Sequence, residues 1–314
     1  MKILALAGGV GGAKLVDGLA RILPPEQLSV IVNTGDDFEI FGLNISPDLD
    51  TVCYTLAGLA NPITGWGQKD ETWHTFQTVA QLGGPDWFRL GDKDLGTHLF
   101  RTEGLRLGKR LSEITLELCE RWGVKHPVYP MSDDPVRTLV HAKDGSTLGF
   151  QEYFVQRACA PEVEKFEFKG VESSSPVGGA IAAIEEADVV LLTPSNPWVS
   201  IEPILAVPGY LERISQKPVI AVSPIVGGKA LKGPAAKMYQ ELGIQPSASA
   251  VANHYRSLLN GFVLDTIDAD ELEKIERWRI IPLVADIVMK DQQDRVRLAE
   301  EVLAFSEMVL NRSR

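Results

Sequence analysis

Lys2–Lys14 reads KILALAGGVGGAK, and the order of its two halves decides the fold class. Lys2–Ala7 has the length and composition of a buried parallel strand, and Gly8-Gly9-Val10-Gly11-Gly12-Ala13-Lys14 follows without a spacer. Leu15, Leu19, Ile22 and Leu23 then recur at helical spacing until Pro24-Pro25 stops the helix. A second apolar run, Leu28–Val32, comes next. Strand, glycine turn, helix and strand open a nucleotide-binding α/β unit, because glycines let the backbone approach a phosphate and the first helical N–H groups face the anion. The spelling departs from the standard phosphate loops. GxGxxG needs glycine where Lys14 stands, and a P-loop needs Gly-Lys-Ser/Thr, whereas Ala13 precedes and Leu15 follows this lysine. Two readings stay open: a tight turn packed on the sheet, or a phosphate or diphosphate site at Gly9, Gly11, Gly12 and Lys14.

The segment after the second strand, Asn33–Thr51, reads NTGDDFEIFGLNISPDLDT. It carries Asp36, Asp37, Glu39, Asp48 and Asp50 with almost no positive charge nearby in sequence. Carboxylates at that density repel one another unless they are solvated, hold a hard cation, or orient the donors of a ligand. A solvated loop with Asx-turns at Gly35 and Pro47 is the bland alternative.

With 314 residues, 45% of them hydrophobic, the chain is long enough to bury a sizeable core. A net charge of -11 argues against nucleic acid or an anionic membrane as partner. A small anionic substrate held by helix N-termini and a divalent cation is compatible with it. Cys53, Cys119 and Cys159 are odd in number and form no CxxC pair, which reads as buried free thiols in a reducing compartment. No signal peptide or membrane-length apolar run is visible, so a cytoplasmic location is expected.

Further strand-like runs lie at Val189–Thr193, Val219–Val222 and Phe262–Leu264. Helical patterns alternate with them at Gly178–Glu186, Tyr210–Ser215, Ala230–Leu242 and Asn253–Asn260. That alternation predicts an α/β fold: a doubly wound, mostly parallel Rossmann-like sheet. Between about 49 and 123 the pattern is helical, with Asp50–Leu59, Thr72–Leu82, Leu95–Thr102 and Leu111–Trp122 as the expected helices. Val124–Phe150 reads as a small strand-rich patch and Gln292–Leu310 as a closing amphipathic helix. The expected organisation is one α/β domain over 1–314, with its nucleotide-binding core at about 1–48 and 160–290 and a helical insertion between. In open α/β sheets ligands sit at the carboxyl ends of the strands. The segments Gly8–Lys14, Asn33–Asp37, Pro194–Pro197 and Ser223–Lys229, which exit four of the runs, are therefore expected to share one cleft. Ser195, Asn196, Ser223, Gly227 and Gly228 join the glycine turn as candidate nucleotide or phosphate contacts.

The ordered set AGGVGGAK, NTGDD, SPDLDT, WFRLGDKDLGTH, MSDDPVRT, TPSNPWVSIEPIL and SPIVGGKALKGPAAKM resembles the 2-phospho-L-lactate transferase family of coenzyme F420 biosynthesis. The likeness runs from the first residues to at least His254-Tyr255, and SPDLDT followed by LGDKDLGTH is its most distinctive part. It implies that the ribityl hydroxyl of the deazaflavin Fo attacks the phosphorus bearing a lactyl or enolpyruvyl group in a guanosine diphosphate-linked donor, with GMP leaving. It further implies Mg²⁺ as cofactor and a homodimer. The family's Fo-binding positions fall on Asp50 and Arg89. Asp50 is accordingly the catalytic candidate, able to accept a ribityl hydroxyl or to ligate Mg²⁺ with Asp48; a helix N-cap is its structural alternative. Arg89, after Trp87-Phe88, is placed to lie against an aromatic surface near a planar ligand, or else to pair with Asp92. His98, four residues beyond Asp94, is read as a structural histidine before a general base. Two other classes share parts of the pattern. A nicotinamide-dependent oxidoreductase would use the same first unit with Asp36 on a ribose. A non-catalytic nucleotide-sugar-binding regulator of the gluconeogenesis-factor type would keep the glycine turn and GDD.

Overall fold

The computed structural model describes residues 1–313. Strand β1 (Ile3–Ala7) is buried at every residue. Helix α1 (Gly9–Ile22) begins inside the glycine run, so only Gly8 and Gly9 make the turn. Gly9 has φ +63°, a left-handed conformation that glycine adopts without steric penalty. Strand β2 (Leu28–Val32) follows, then the hairpin β3 (Phe38–Ile40) and β4 (Leu43–Ile45). Four helices succeed it: α2 (Pro47–Leu56), α3 (His74–Gln81), α4 (Asp92–Arg106) and α5 (Leu111–Arg121). Strand β5 (Val128–Pro130) returns to the side of β2. Next come β6 (Arg137–Ala142), β7 (Thr147–Gly149) and β8 (Val163–Lys169), a separate antiparallel sheet in the order β7-β6-β8.

The second half alternates. Helix α6 (Gly178–Glu186) and strand β9 (Val189–Leu192) are followed by α7 (Glu202–Ala206), α8 (Tyr210–Ile214) and β10 (Val219–Val222). The short hairpin β11 (Ile225–Val226) and β12 (Lys229–Ala230) precedes α9 (Ala235–Glu241) and α10 (Ala248–His254). Strand β13 (Gly261–Asp265), helix α11 (Leu272–Glu276), strand β14 (Ile281–Ala285) and helix α12 (Gln292–Ser313) complete the chain.

Seven strands form the central sheet in the order β14-β13-β10-β9-β1-β2-β5, and all six pairings are parallel. The doubly wound α/β architecture is thus present. Side chains alternate between its faces: Leu4, Leu6, Val190 and Leu192 join one core, while Ile3, Ala5, Val30 and Leu191 join the other with α1 and α12. Burial on both faces is why these strands read as unbroken apolar runs.

The two edge strands did not read that way. β5 and β14 each contain a proline, and β14 is only half-buried over Ile281–Val284. A proline is tolerated at an edge, where no neighbour needs its missing donor. Helix positions differ in two places. The helix expected from Ala230 starts at Ala235, because Lys229-Ala230 belongs to the β11–β12 hairpin. The helix expected at Asn253–Asn260 lies at Ala248–His254, started by Ser247, whose hydroxyl accepts the Ala250 N–H at 3.0 Å.

Candidate active site

From β1 the chain winds outward in one direction to β2 and in the other, later, to β9 and β10. A crevice opens where the winding reverses, at the carboxyl ends of β1 and β9. Here it is a cleft of about 910 Å³, lined by residues of all four strand-exit segments, among them Gly9, Asp36, Ser195 and Ser223.

The turn after β1 is clasped to the loop after β9. The Gly8 N–H donates to Ser195 Oγ at 3.1 Å, and that hydroxyl donates to Gly8 O at 2.7 Å. A Cβ on Gly11 would lie 2.4 Å from the Pro194 carbonyl oxygen, and one on Gly12 would lie 2.6 Å from Ser195 Oγ. These glycines are required for close packing. Gly9 and Gly11 line the cleft, as does Lys14, whose Nζ donates to Met289 O at 2.5 Å. Gly12 is buried against the β9 exit and does not line it.

The other loop residues divide. Asn196 and Ser223 reach the cleft with polar groups largely spent on their own loops: Asn196 Oδ1 accepts the Trp198 N–H, and the Ser223 hydroxyl donates to Ile225 O. Gly227 and Gly228 are outside the lining. They have φ +56° and +72° and turn the β11–β12 hairpin. The Gly227 N–H is spent on Asp268, at 3.0 Å from Oδ1. Their expected phosphate contact is corrected to a turn role.

Helix α2 presents the two acidic candidates in different directions, since two residues on a helix are rotated by about 200°. Asp48 leans on the glycine turn, where a Cβ at Gly8 would meet its Oδ2 at 2.5 Å, and it accepts Asn33 Nδ2 at 2.9 Å. Asn33 also donates to Asp36 Oδ1 at 3.2 Å, and Gln151 Nε2 donates to Asp36 Oδ2 at 2.9 Å. Burial pushes Asp48 up to about 6, with the Asn33 and Gly9 hydrogen bonds opposing it. Burial pushes Asp36 well above the carboxylate range, and the Asp48 and Asp37 charges add to this. Asp37 accepts the Ser46 hydroxyl at 2.7 Å and is pushed up to about 7 by burial, with Arg137 partly offsetting it.

Asp50 faces helix α4 instead. It makes a buried ion pair with Arg101, whose side chain is 1% exposed against 7% for Asp50. Asp50 is not an N-cap: its own N–H donates to Ser46 O at 2.9 Å inside the helix. Burial raises its carboxyl, and the Arg101 charge and hydrogen bond draw it back. The pair is ionised, because a neutral acid here would leave Arg101 as an unpaired buried cation. Arg101 Nη1 stands 3.1 Å from His98 Nδ1. A guanidinium only donates, so Nδ1 accepts and the imidazole proton sits on Nε2, 3.4 Å from Asp94 Oδ1. The Tyr54 hydroxyl donates to the same Asp94 oxygen at 2.6 Å. Burial opposes ionisation of Asp94, but the neighbouring His98 ring, the Tyr54 hydroxyl and the Arg101 charge together outweigh it and hold the carboxyl below its usual range. Asp50 Oδ2 is buried and has no hydrogen-bond partner, standing 3.7 Å from His98 Nδ1; Asp50 as a residue lines the cleft.

Three ligand atoms of Asp50, Asp94 and His98 lie within 4.8 Å of one another, but Arg101 is the cation of that cluster. Asp48 is not part of it. Asp48 instead shares the Asn33 amide with Asp36, while Asp50 pairs with Arg101. Asp48 beside Asp36 is the carboxylate pair without a cationic neighbour, next to the turn suited to phosphate.

Arg89 lies over the Trp73 ring, 4.5 Å from its centroid. It makes no ion pair with Asp92, whose carboxylate instead accepts the Thr72 hydroxyl at 2.5 Å and the His74 and Thr75 N–H groups at 3.1 Å. Trp87 and Phe88 pack on Phe38 of the hairpin, with centroids 5.8 and 4.7 Å away. All three of Trp87, Phe88 and Arg89 line the cleft. Phe150 and Phe154, stacked at 5.5 Å, add a second aromatic surface to it. Sequence reasoning did not find Arg101, Tyr54 or Gln151. One signal was there: Asp94, His98 and Arg101 recur at i, i+4 and i+7, a charged stripe on one face of α4.

The lining of this crevice places the protein among Rossmann-like α/β proteins that act on small molecules. The family profile described as 2-phospho-L-lactate transferase CofD matches residues 3–303. A protein named phosphoenolpyruvate transferase from Streptomyces avermitilis is 46% identical over 321 residues, covering 98% of this chain and 99% of that one. One of the same name from Streptomyces coelicolor is 43% identical, with 98% and 99% covered. Another from Mycobacterium tuberculosis is 42% identical, with 84% and 86% covered. Among solved structures, a UPF0052 family protein from Bacillus halodurans superposes with a TM-score of 0.63 at 16% identity, covering 96% of this chain and 98% of that one; it shares the fold. The chain belongs to the 2-phospho-L-lactate transferase CofD family, and is accordingly a transferase of coenzyme F420 biosynthesis. No helix among the described residues is long and apolar enough to cross a membrane.

Proposed function

We propose that the protein transfers a phosphoenolpyruvyl group from a guanosine diphosphate-linked donor to the terminal ribityl hydroxyl of Fo. The hydroxyl oxygen forms a bond to the phosphorus carrying the enolpyruvyl group, the bond from that phosphorus to the GMP oxygen breaks, and GMP leaves while the hydroxyl proton is lost. The names of the curated relatives favour the enolpyruvyl group over the lactyl one. The observation that carries the reading is a single cleft into which the glycine turn, Asp48, Asp50 and the Trp87–Arg89 wall all open. Its volume, about 910 Å³, lies at the upper end of the usual range for ligand sites, as two substrates side by side require.

The chain's own groups have separable tasks in this scheme. The glycine turn takes the donor phosphates through backbone N–H groups. Arg89, braced by Trp73, lies along the deazaflavin with Trp87 and Phe88. Asp50 is held by Arg101 through one oxygen, and its buried, unpartnered Oδ2 accepts the ribityl hydroxyl when the substrate seats against it. Buried Asp36 and Asp48 would repel phosphate, so their donor set fits a divalent cation, and Mg²⁺ commonly uses one or two carboxylates plus substrate phosphates. When bound there, Mg²⁺ supplies charge neutralisation of the diphosphate. A homodimer belongs to the same proposal, and sedimentation tests it. The reaction is tested by incubating the protein with Fo, Mg²⁺ and either the enolpyruvyl or the lactyl donor, and following the deazaflavin by chromatography and mass spectrometry. A phosphodiester product and GMP are expected, faster with the enolpyruvyl donor. No product with either donor overturns the assignment.

A further inference from the structure

Three ammonium groups line the cleft without a carboxylate ion pair among the described residues: Lys14 on α1, Lys232 after β12 and Lys290 after β14. Lys14 and Lys232 donate only to carbonyls, Met289 O at 2.5 Å and Thr64 O at 2.8 Å. They also feel each other. Burial lowers the Lys14 ammonium, and the positive charges of Arg295 and Lys232 lower it further. Arg295 is paired with Asp17 at 2.9 Å, and the Asp294 charge offsets the lowering of Lys14 only in part.

The carbonyl that Lys232 holds belongs to the segment Asn61–Gly67, which lies over the glycine turn. A Cβ on Gly65 would meet Val10 Cγ1 at 2.6 Å and Lys232 Nζ at 3.1 Å. Asn61 shapes the segment by accepting the Ile63 N–H at 2.9 Å. Two loops far apart in sequence thus meet above the turn, and the one bond shown to join them runs from an exposed ammonium to a carbonyl. An ammonium has three donors, so Lys232 can keep this bond and add a charge-assisted one to a phosphate oxygen.

We propose that Lys232 and Lys14 form an anion clamp specific for a nucleoside diphosphate, with Lys232 closing the Asn61–Gly67 segment over the second phosphoryl group. The clamp rests on the donor reading above and deepens it. A diphosphate ester brings enough negative charge to reach both ammoniums, whereas a nucleoside monophosphate occupies the glycine turn alone. After transfer, the leaving monophosphate no longer spans the two lysines, so the segment is released with the product.

The test compares GDP and GMP, each titrated calorimetrically with Mg²⁺ into wild type, Lys232→Met, Lys232→Arg and the hairpin control Lys229→Met. GDP affinity should fall roughly ten- to a hundredfold in Lys232→Met, as expected for losing one charge-assisted contact. GMP affinity should change less than about twofold, by the same argument, and Lys232→Arg should recover most of the loss. Hydrogen exchange in Asn61–Gly67 should slow on GDP addition in wild type and not in Lys232→Met. Equal losses for GDP and GMP, or no loss for either, overturn the clamp while leaving the donor reading intact. Wild type that binds neither nucleotide overturns both.

Discussion

Replacing Asp50 by Asn removes one charge from a pair that is almost wholly out of water. Because the two side chains are 7% and 1% exposed, solvent screening does not soften the loss. Removing one partner of such a pair costs about 3–5 kcal/mol, since the other is left as an uncompensated buried charge. Folded domains have about 5–15 kcal/mol in hand, so Asp50→Asn should remain folded yet show a clearly lower urea midpoint. Arg101→Met should lose a similar amount. The double variant Asp50→Asn/Arg101→Met removes both charges, and its loss should fall short of the sum by about 2 kcal/mol or more. Turnover should not follow stability. Without the ionised Oδ2 the ribityl hydroxyl is no longer oriented, and kcat should drop about 100-fold or more in Asp50→Asn and stay low in the double variant. Urea denaturation of all four proteins, with kcat and KM for both substrates, reads the two effects separately. Additive stabilities would refute the ion pair as the source of the loss. Near-normal turnover in Asp50→Asn would refute the catalytic reading of Asp50.

Two further outcomes follow from particular contacts. Arg89→Ala, which removes the guanidinium over Trp73, should raise the KM for Fo by roughly 1–3 kcal/mol in equivalent affinity and leave donor KM nearly unchanged; an equal change in both would remove Arg89 from the deazaflavin site. Asp37 has a folded-state pKa of about 7 against an ordinary value of 3.8, so the unfolded chain ionises first as pH rises. Its contribution is therefore most favourable below about pH 4 and is lost between about pH 4 and 7, by up to about 4 kcal/mol at ~1.4 kcal/mol per unit. In metal-free protein Asp37→Asn should flatten that part of the stability profile. An unchanged profile would show that Asp37 is ionised in the fold.

The sequence alone determined the parallel core, because a strand buried on both faces must be apolar at every position, and Ile3–Ala7, Val189–Leu192 and Val219–Val222 are apolar throughout and too short for helices. It also located the glycine turn, and the ordered family motifs marked Asp50 and Arg89. What it could not carry is direction and partnership. SPDLDT holds two carboxylates two residues apart in the chain, and only the helix that forms there turns Asp48 to the glycine turn and Asp50 to a different partner. That partner, Arg101, is 51 residues away, and the neutralisation of a stretch that reads as uncompensated acid exists only once α4 packs on α2. Gly227-Gly228 shows the converse. Its spelling is as suitable for phosphate as that of Gly8-Gly9, yet Asp268 takes its N–H. Local composition decides which backbone shapes are allowed; which donors remain free for a ligand is decided by the rest of the chain folding around them.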